Sequence, residues 1–274
     1  MTTFATINGH RIHYRLDGEG PLAVFGHGLM GSMGQIEENL SLLDALLGSV
    51  RLLTYDARGH GQSGGPEDVA GYTWEALGRD MSELATHAGE ERAFFGGASM
   101  GAATALWVGV EQPEKVRGLV LVMPPPLGQR SMRAAHEHQA LQALEMLAAG
   151  VENFGVEKTV ELARMFPGFA TSPEEADQRA AAILKQNPLA MLYAIRGLIQ
   201  APFHDPEEYR RVTAPTLILA HDGDGLHPAR AARLLHEQIA GSRLRIAPDP
   251  SYWRTHQGEF LGEVSEFLAV VGSQ

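Results

Sequence analysis

The chain has 274 residues, 44% of them hydrophobic and 20% charged, which fits one large globular domain carrying an insertion. A formal net charge of −11, with no lysine- or arginine-rich run, argues against a nucleic-acid partner or an anionic membrane surface, because like charges repel. The absence of cysteine excludes disulfides, thiolate zinc sites and a cysteine nucleophile.

No apolar run approaches the roughly 18 residues of a membrane span. Met1 to Tyr14 lacks the basic-then-apolar order of a secretory signal, so a cytoplasmic protein is expected. Phe4–Ile7 and Arg11–Arg15 flank Asn8-Gly9, a strong hairpin signal. Leu22–Phe25 is a short apolar strand running into glycine-rich sequence. Gln35–Leu47 carries apolar residues at helical spacing. Arg51–Tyr55 is a strand, Thr73–His87 a helix, Arg92–Gly96 a strand and Met100–Glu111 a helix. Val116–Met123 is almost wholly aliphatic, as in a strand buried on both faces of a parallel sheet.

Pro124-Pro125-Pro126 interrupts this alternation. From Leu127 to Arg211 no strand pattern is evident. The segment is rich in Ala, Leu, Glu and Arg, with breaks at Gly150, Gly155, Pro167-Gly168 and Pro188, and reads as inserted helices. The alternation resumes with the strand Thr216–Ala220, a helix over Pro228–Ile239, the strand Arg243–Ala247 and a helix over Gln257–Val271. The expected fold is α/β: a mostly parallel, doubly wound sheet with an N-terminal hairpin and a helical lid. The core would comprise residues 1–126 and 212–274, and the lid residues 127–211. Ligands in such sheets bind at the carboxyl ends of the strands, here after Phe25, Gly96, Ala220 and Ala247.

Gly97-Ala98-Ser99-Met100-Gly101 lies between a strand and a helix. Small residues two before and two after a serine let backbones approach at a sharp turn, and the turn presents the serine at a helix N-terminus. Ser99 is the expected nucleophile, and the Met100 amide an expected oxyanion donor. Gly26-His27-Gly28-Leu29-Met30-Gly31 follows another strand, and the Leu29 amide is the expected second donor. His27 reads as a buried residue that shapes this loop.

These motifs, with Tyr55-Asp56-Ala57-Arg58-Gly59-His60-Gly61-Gln62-Ser63 between them, resemble the α/β-hydrolase superfamily, in particular its lid-bearing esterase, lactonase and C–C hydrolase branch. The resemblance spans essentially the whole chain. It implies scaffold roles for Arg58 and His60. It also implies that an aspartate after the strand Thr216–Ala220 orients a catalytic histidine. Asp224 falls at that position, with Asp222 as the competing acid, while His221 stands where the family has glycine and His227 reads as a loop or cap residue.

The family's histidine follows the last strand, just before an aromatic. Aligning Trp253 with that aromatic puts Tyr252 in the histidine's place, and the nearest histidine is His256. Two arrangements are open. Either the loop brings His256 to Ser99, completing a Ser99–Asp224–His256 triad, or His256 is solvated and the site has no ordinary base.

The expected activity is hydrolysis of a carboxylic ester or lactone of a small to medium, partly apolar substrate through an acyl-enzyme. A C–C hydrolase acting on a diketone would use the same residues. A degenerate hydrolase that binds a small ligand is the alternative of another class. No cofactor or metal is expected, and the partner is a small-molecule substrate. A histidine base works only when neutral, so activity is expected to fall below roughly pH 6. Of Met146, Phe154, Met165, Phe166, Phe169, Met191, Leu192 and Phe203, most are expected to form the lid's own core and its contact with the main domain, and some to line an apolar pocket.

Overall fold

The computed structural model describes residues 2–34, 49–126, 137–165, 170 and 172–273. Its frame is an eight-stranded sheet: β1 (Thr2–Ile7), β2 (His10–Asp17), β3 (Leu22–Gly26), β4 (Arg51–Tyr55), β5 (Ala93–Ala98), β6 (Val116–Val122), β7 (Thr216–His221) and β8 (Arg243–Ala247). They lie side by side in the order β1-β2-β4-β3-β5-β6-β7-β8. The β1–β2 and β2–β4 pairs are antiparallel, and every pair from β4 to β8 is parallel.

Local sequence explains these elements. Asn8 and Gly9 take φ of 46° and 83°, the two left-handed positions a tight hairpin needs, so the turn signal and the hairpin agree. The short central strands are apolar on both faces. In β3, Leu22 and Val24 join the core on one side of the sheet, while Ala23 and Phe25 join the core on the other. Helices α1 (Trp74–His87) and α2 (Met100–Glu111) cover the first face. Thr73 starts α1 as its N-cap, its hydroxyl accepting the Ala76 amide at 3.1 Å. The helix over Gln35–Leu47 lies outside the described residues.

Between β6 and β7 the chain forms α3 (Glu137–Ala163), α4 (Pro173–Leu184) and α5 (Pro188–Gln200), then a 3-10 turn over Pro206–Arg211. Gly155, at φ 80°, breaks α3 internally. These helices have their own apolar cluster, built on Ala148, Val151, Ile183, Met191 and Ile195. Of the lid residues expected to be buried, Met191 is in that cluster and Leu192 packs against it. Phe203 joins the main core instead, edge-on to Trp74 at 5.5 Å. Met146, Phe154 and Met165 are each at least 60% exposed, so they are not part of that apolar cluster. Phe166 and Phe169 lie outside the described residues.

After β7 come α6 (Ala229–Gln238), β8, a single helical turn α7 (Tyr252–Thr255) and α8 (Gln257–Gly272), which covers the second face through Val264, Phe267, Leu268 and Val271. Among the described residues no helix is long and apolar enough to cross a membrane.

Candidate active site

The site assembles at the carboxyl ends of β3, β5 and β7. β5 ends in Gly97-Ala98, and Ser99 takes φ 52° and ψ −111° before α2 begins at Met100. A non-glycine residue with positive φ is held at a cost, and here the surroundings hold it. The Ser99 amide donates to the Val122 carbonyl at 3.0 Å. A Cβ on Gly97 or Gly101 would lie 2.2 or 2.1 Å from the Gly26 carbonyl oxygen, so β3, β5 and α2 meet only because these positions carry no side chain. That contact brings the loop after β3 under the serine.

Ser99 Oγ lies 2.7 Å from Nε2 of His227, and His227 Nδ1 lies 2.9 Å from Asp224 Oδ2. One nitrogen of the imidazole thus faces the hydroxyl and the other the carboxylate. Asp224 Oδ1 accepts the amides of Leu226 at 2.7 Å and His227 at 3.1 Å, so the carboxylate folds its own loop into an Asx-type turn. Burial raises the proton affinity of Asp224. The hydrogen bonds and charge of His227, with the Leu226 amide, outweigh that and hold the carboxyl well below the usual range. His221 packs behind it, Nε2 3.7 Å from Asp224 Oδ2 and 3.2 Å from Met123 Sδ. Asp222 is exposed.

The histidine beside Ser99 is therefore His227, not His256. His256 is exposed at the junction of α7 and α8, its Nδ1 2.9 Å from Thr255 Oγ1 and its ring stacked on Tyr252 at 4.0 Å. The physical reason is the path after β8. Residues 252–255 wind into a helical turn anchored by Trp253, whose Nε1 donates to the Ala220 carbonyl at 3.0 Å. Tyr252, in the place expected for a histidine, donates its hydroxyl to Glu259 at 2.9 Å. His227 lies in the loop before α6, as expected, and the signal the sequence offers for its bond to Asp224 is the spacing of three residues between them.

The loop after β3 holds the expected donor Leu29, half-buried, while Met100 is buried at the head of α2. Gly28 sits against the nucleophile, since a Cβ there would be 3.6 Å from Ser99 Cβ. The buried His27 donates from Nδ1 to the Gly28 carbonyl at 2.7 Å and accepts the Ala57 amide on Nε2 at 2.9 Å. Burial lowers its pKa, so it stays neutral and ties two loops together. Asp56 binds the Met33 and Gln62 amides and His13 Nδ1 at 2.8–2.9 Å. Arg58 makes a buried two-point pair with Asp80, both bonds 2.7 Å. His60 is fully buried, its pKa lowered to about 3 by that burial, with the neighbouring His27 adding to the shift. Arg58 and His60 are thus built into the scaffold beside the site.

Among the described residues no group of three or more His, Asp or Glu side chains converges as a metal site would require. The chemistry within reach is a hydroxyl, a base positioned to take its proton, and a carboxylate to stabilise the imidazolium.

The model of a known family, the alpha/beta hydrolase fold, matches residues 21–251. The chain is similar to a proline iminopeptidase of Pestalotiopsis fici, 25% identical with 92% of this chain and 93% of the relative covered. It is also similar to a 3-oxoadipate enol-lactonase of Acinetobacter baylyi, 26% identical with 71% and 69% covered. Among solved structures, a hydrolase from Pseudomonas aeruginosa PA01 superposes with a TM-score of 0.80 at 27% identity, covering 97% of this chain and 98% of the other. With its strand order, its serine turn and these matches, the chain belongs to the α/β-hydrolase fold family.

Proposed function

We propose that the protein is a serine hydrolase that cleaves a carboxylic ester or lactone of a small to medium, partly apolar substrate. The observation that carries this reading is the relay Ser99 Oγ to His227 Nε2 at 2.7 Å and His227 Nδ1 to Asp224 at 2.9 Å. His227 takes the Ser99 proton as the oxygen attacks the carbonyl carbon. Asp224 holds the imidazole tautomer and stabilises its cation. The negative oxygen of the tetrahedral intermediate is received by the amides of Leu29 and Met100, one such donor contributing about 3 kcal/mol. His227 then protonates the leaving alkoxide. Water, deprotonated by the same base, releases the acid and restores Ser99.

Family membership supports hydrolysis at the level of reaction class. The relatives' names span a lactone and a peptide bond, so they support acyl transfer more than any one leaving group. Helices α3–α5 form the lid in this reading, with the core comprising residues 1–126 and 212–274. The degenerate-hydrolase alternative rested on the lack of a base after β8, and His227 supplies a base from the loop after β7. A diketone C–C hydrolase would use the same three side chains, and no observation favours it here.

The test is hydrolysis of a short-chain p-nitrophenyl ester and of a simple lactone by wild type, Ser99→Ala, His227→Ala and His256→Ala. The expected result is loss of turnover in the first two variants and near wild-type turnover in the third. A wild type that hydrolyses neither substrate and resists fluorophosphonate labelling overturns the proposal.

A further inference from the structure

The loop that carries Leu29 is held from outside its own domain. Leu29 and Met30 pack their side chains against the apolar cluster of the inserted helices. The backbone at Met30 takes φ 62°, a left-handed conformation that a methionine does not adopt without something to hold it. A tight turn closes over it, the Gly31 amide donating to the Gly28 carbonyl at 2.9 Å.

The group that meets the Met30 carbonyl comes from the insertion. Gln186 lies in the short connection between α4 and α5 and is 7% exposed. Its Nε2 donates to the Met30 carbonyl, and its Oε1 accepts the Gly61 amide at 3.3 Å. One side-chain amide therefore joins the loop after β3 to the loop after β4. The connection itself is firm. The Gln186 amide donates to Ile183 at 3.1 Å at the end of α4. The next residue, Asn187, caps α5 by accepting the Leu189 and Ala190 amides at 3.0 and 3.1 Å.

We propose that Gln186 is a positioning residue for the oxyanion loop, so that correct seating of the inserted helices sets the direction of the Leu29 amide. The proposal rests on the serine-hydrolase reading above. Without the Nε2 donor, the Met30 carbonyl loses its buried partner, and the peptides on either side of Met30 can turn out of the left-handed conformation. The Leu29 amide, one residue back in the same tight turn, then loses its aim. Ser99, His227 and Asp224 belong to other loops and stay in place. The defect is therefore confined to stabilisation of the tetrahedral oxyanion, which is felt in the transition state and not in substrate binding.

The test is steady-state hydrolysis of the p-nitrophenyl ester by Gln186→Leu and Gln186→Glu. Alongside it, a trifluoromethyl ketone, whose serine adduct places an oxyanion in the same position, is titrated as inhibitor, and thermal unfolding is recorded. Gln186→Leu is expected to lower kcat about tenfold with KM unchanged within about twofold, and to weaken the ketone by a similar factor. Gln186→Glu, nearly isosteric and able to accept from Gly61 but not to donate to Met30, is expected to show the same loss, and it carries the test if the leucine variant does not fold. A purely structural role would lower the unfolding temperature and leave kcat and ketone affinity unchanged at temperatures where the variant is folded. That result overturns the proposal. A wild type with no Ser99-dependent turnover overturns the underlying reading, and this proposal with it. An active wild type alongside unimpaired Gln186 variants overturns this proposal alone.

Discussion

The loops after β7 and β8 leave adjacent strand ends, and each offers a histidine, an aspartate and a proline. Their hydrogen bonds run in opposite directions. After β7, Asp224 and His227 turn inward on each other and on Ser99. After β8, Asp249 accepts from the amide and hydroxyl of Ser251, and His256 stacks on Tyr252 at the surface. Both loops carry a carboxylate that binds its own backbone, and in the inward one that carboxylate also holds a histidine ring. The outward loop is closed by an indole that binds a strand carbonyl. Residue type does not separate these two loops; what their polar atoms are bonded to does.

The contrast is sharpest in the histidines. His227→Ala should lower kcat/KM on the order of 10⁴-fold or more with little effect on the unfolding temperature, as expected when the proposed base is removed. Steady-state kinetics with a melting curve on one preparation checks both halves, and retained turnover would return the base to another residue. Asp224→Asn comes next, on the order of 10³- to 10⁴-fold, because an amide favours the wrong tautomer of His227.

The two carboxyls provide a test through acid stability. Both are held below the usual range, Asp249 by its bonds to Ser251 and Asp224 by bonds, chiefly from His227, that outweigh burial. A carboxyl with a depressed folded pKa stabilises the native state above its unfolded value of about 3.9, and that contribution is lost as pH falls through the folded value. Melting temperature against pH should therefore fall less steeply below about pH 4 in Asp224→Asn than in wild type. Asp249→Asn should change the slope in the same sense but less, because solvent screening weakens the bonds of an exposed carboxylate.

The smallest expected effects are on rate in the outer loop. Trp253→Phe should cost about 1 kcal/mol of stability through its lost bond to Ala220, visible in chemical denaturation, with turnover unchanged. His256→Ala should leave kcat/KM within about twofold.

The sheet was legible because its strands are short, apolar runs bounded by turn residues, and β4, β8 and α2 have the limits the pattern predicts. Ser99 was legible for a related reason: its turn forces small residues at fixed spacing, and spacing is what a sequence records. The proposed base was harder to place. Sequence shows that His227 follows Asp224 by three residues but not that the Asx-type turn swings its ring toward another loop. Nor does it show that the chain after β8 winds into α7 and carries His256 away. The exposure of Met146, Phe154 and Met165 is not legible in the sequence, because apolar character marks a tendency to be covered and composition does not say which residues are.

The Asx-type turn at Asp224 also bears on chain entropy. In the expected arrangement, acid and base would have met across the 32 positions from Asp224 to His256, whereas here His227 follows Asp224 by three. Closing the shorter segment costs roughly 2 kcal/mol less conformational freedom by the logarithmic loop-length rule. The pair can thus form as a local event, ahead of the pairing of β8 at the sheet edge. No member of the proposed triad comes after His227; among the described residues, the segment beyond it supplies α6, the edge strand β8 and the cover helix α8.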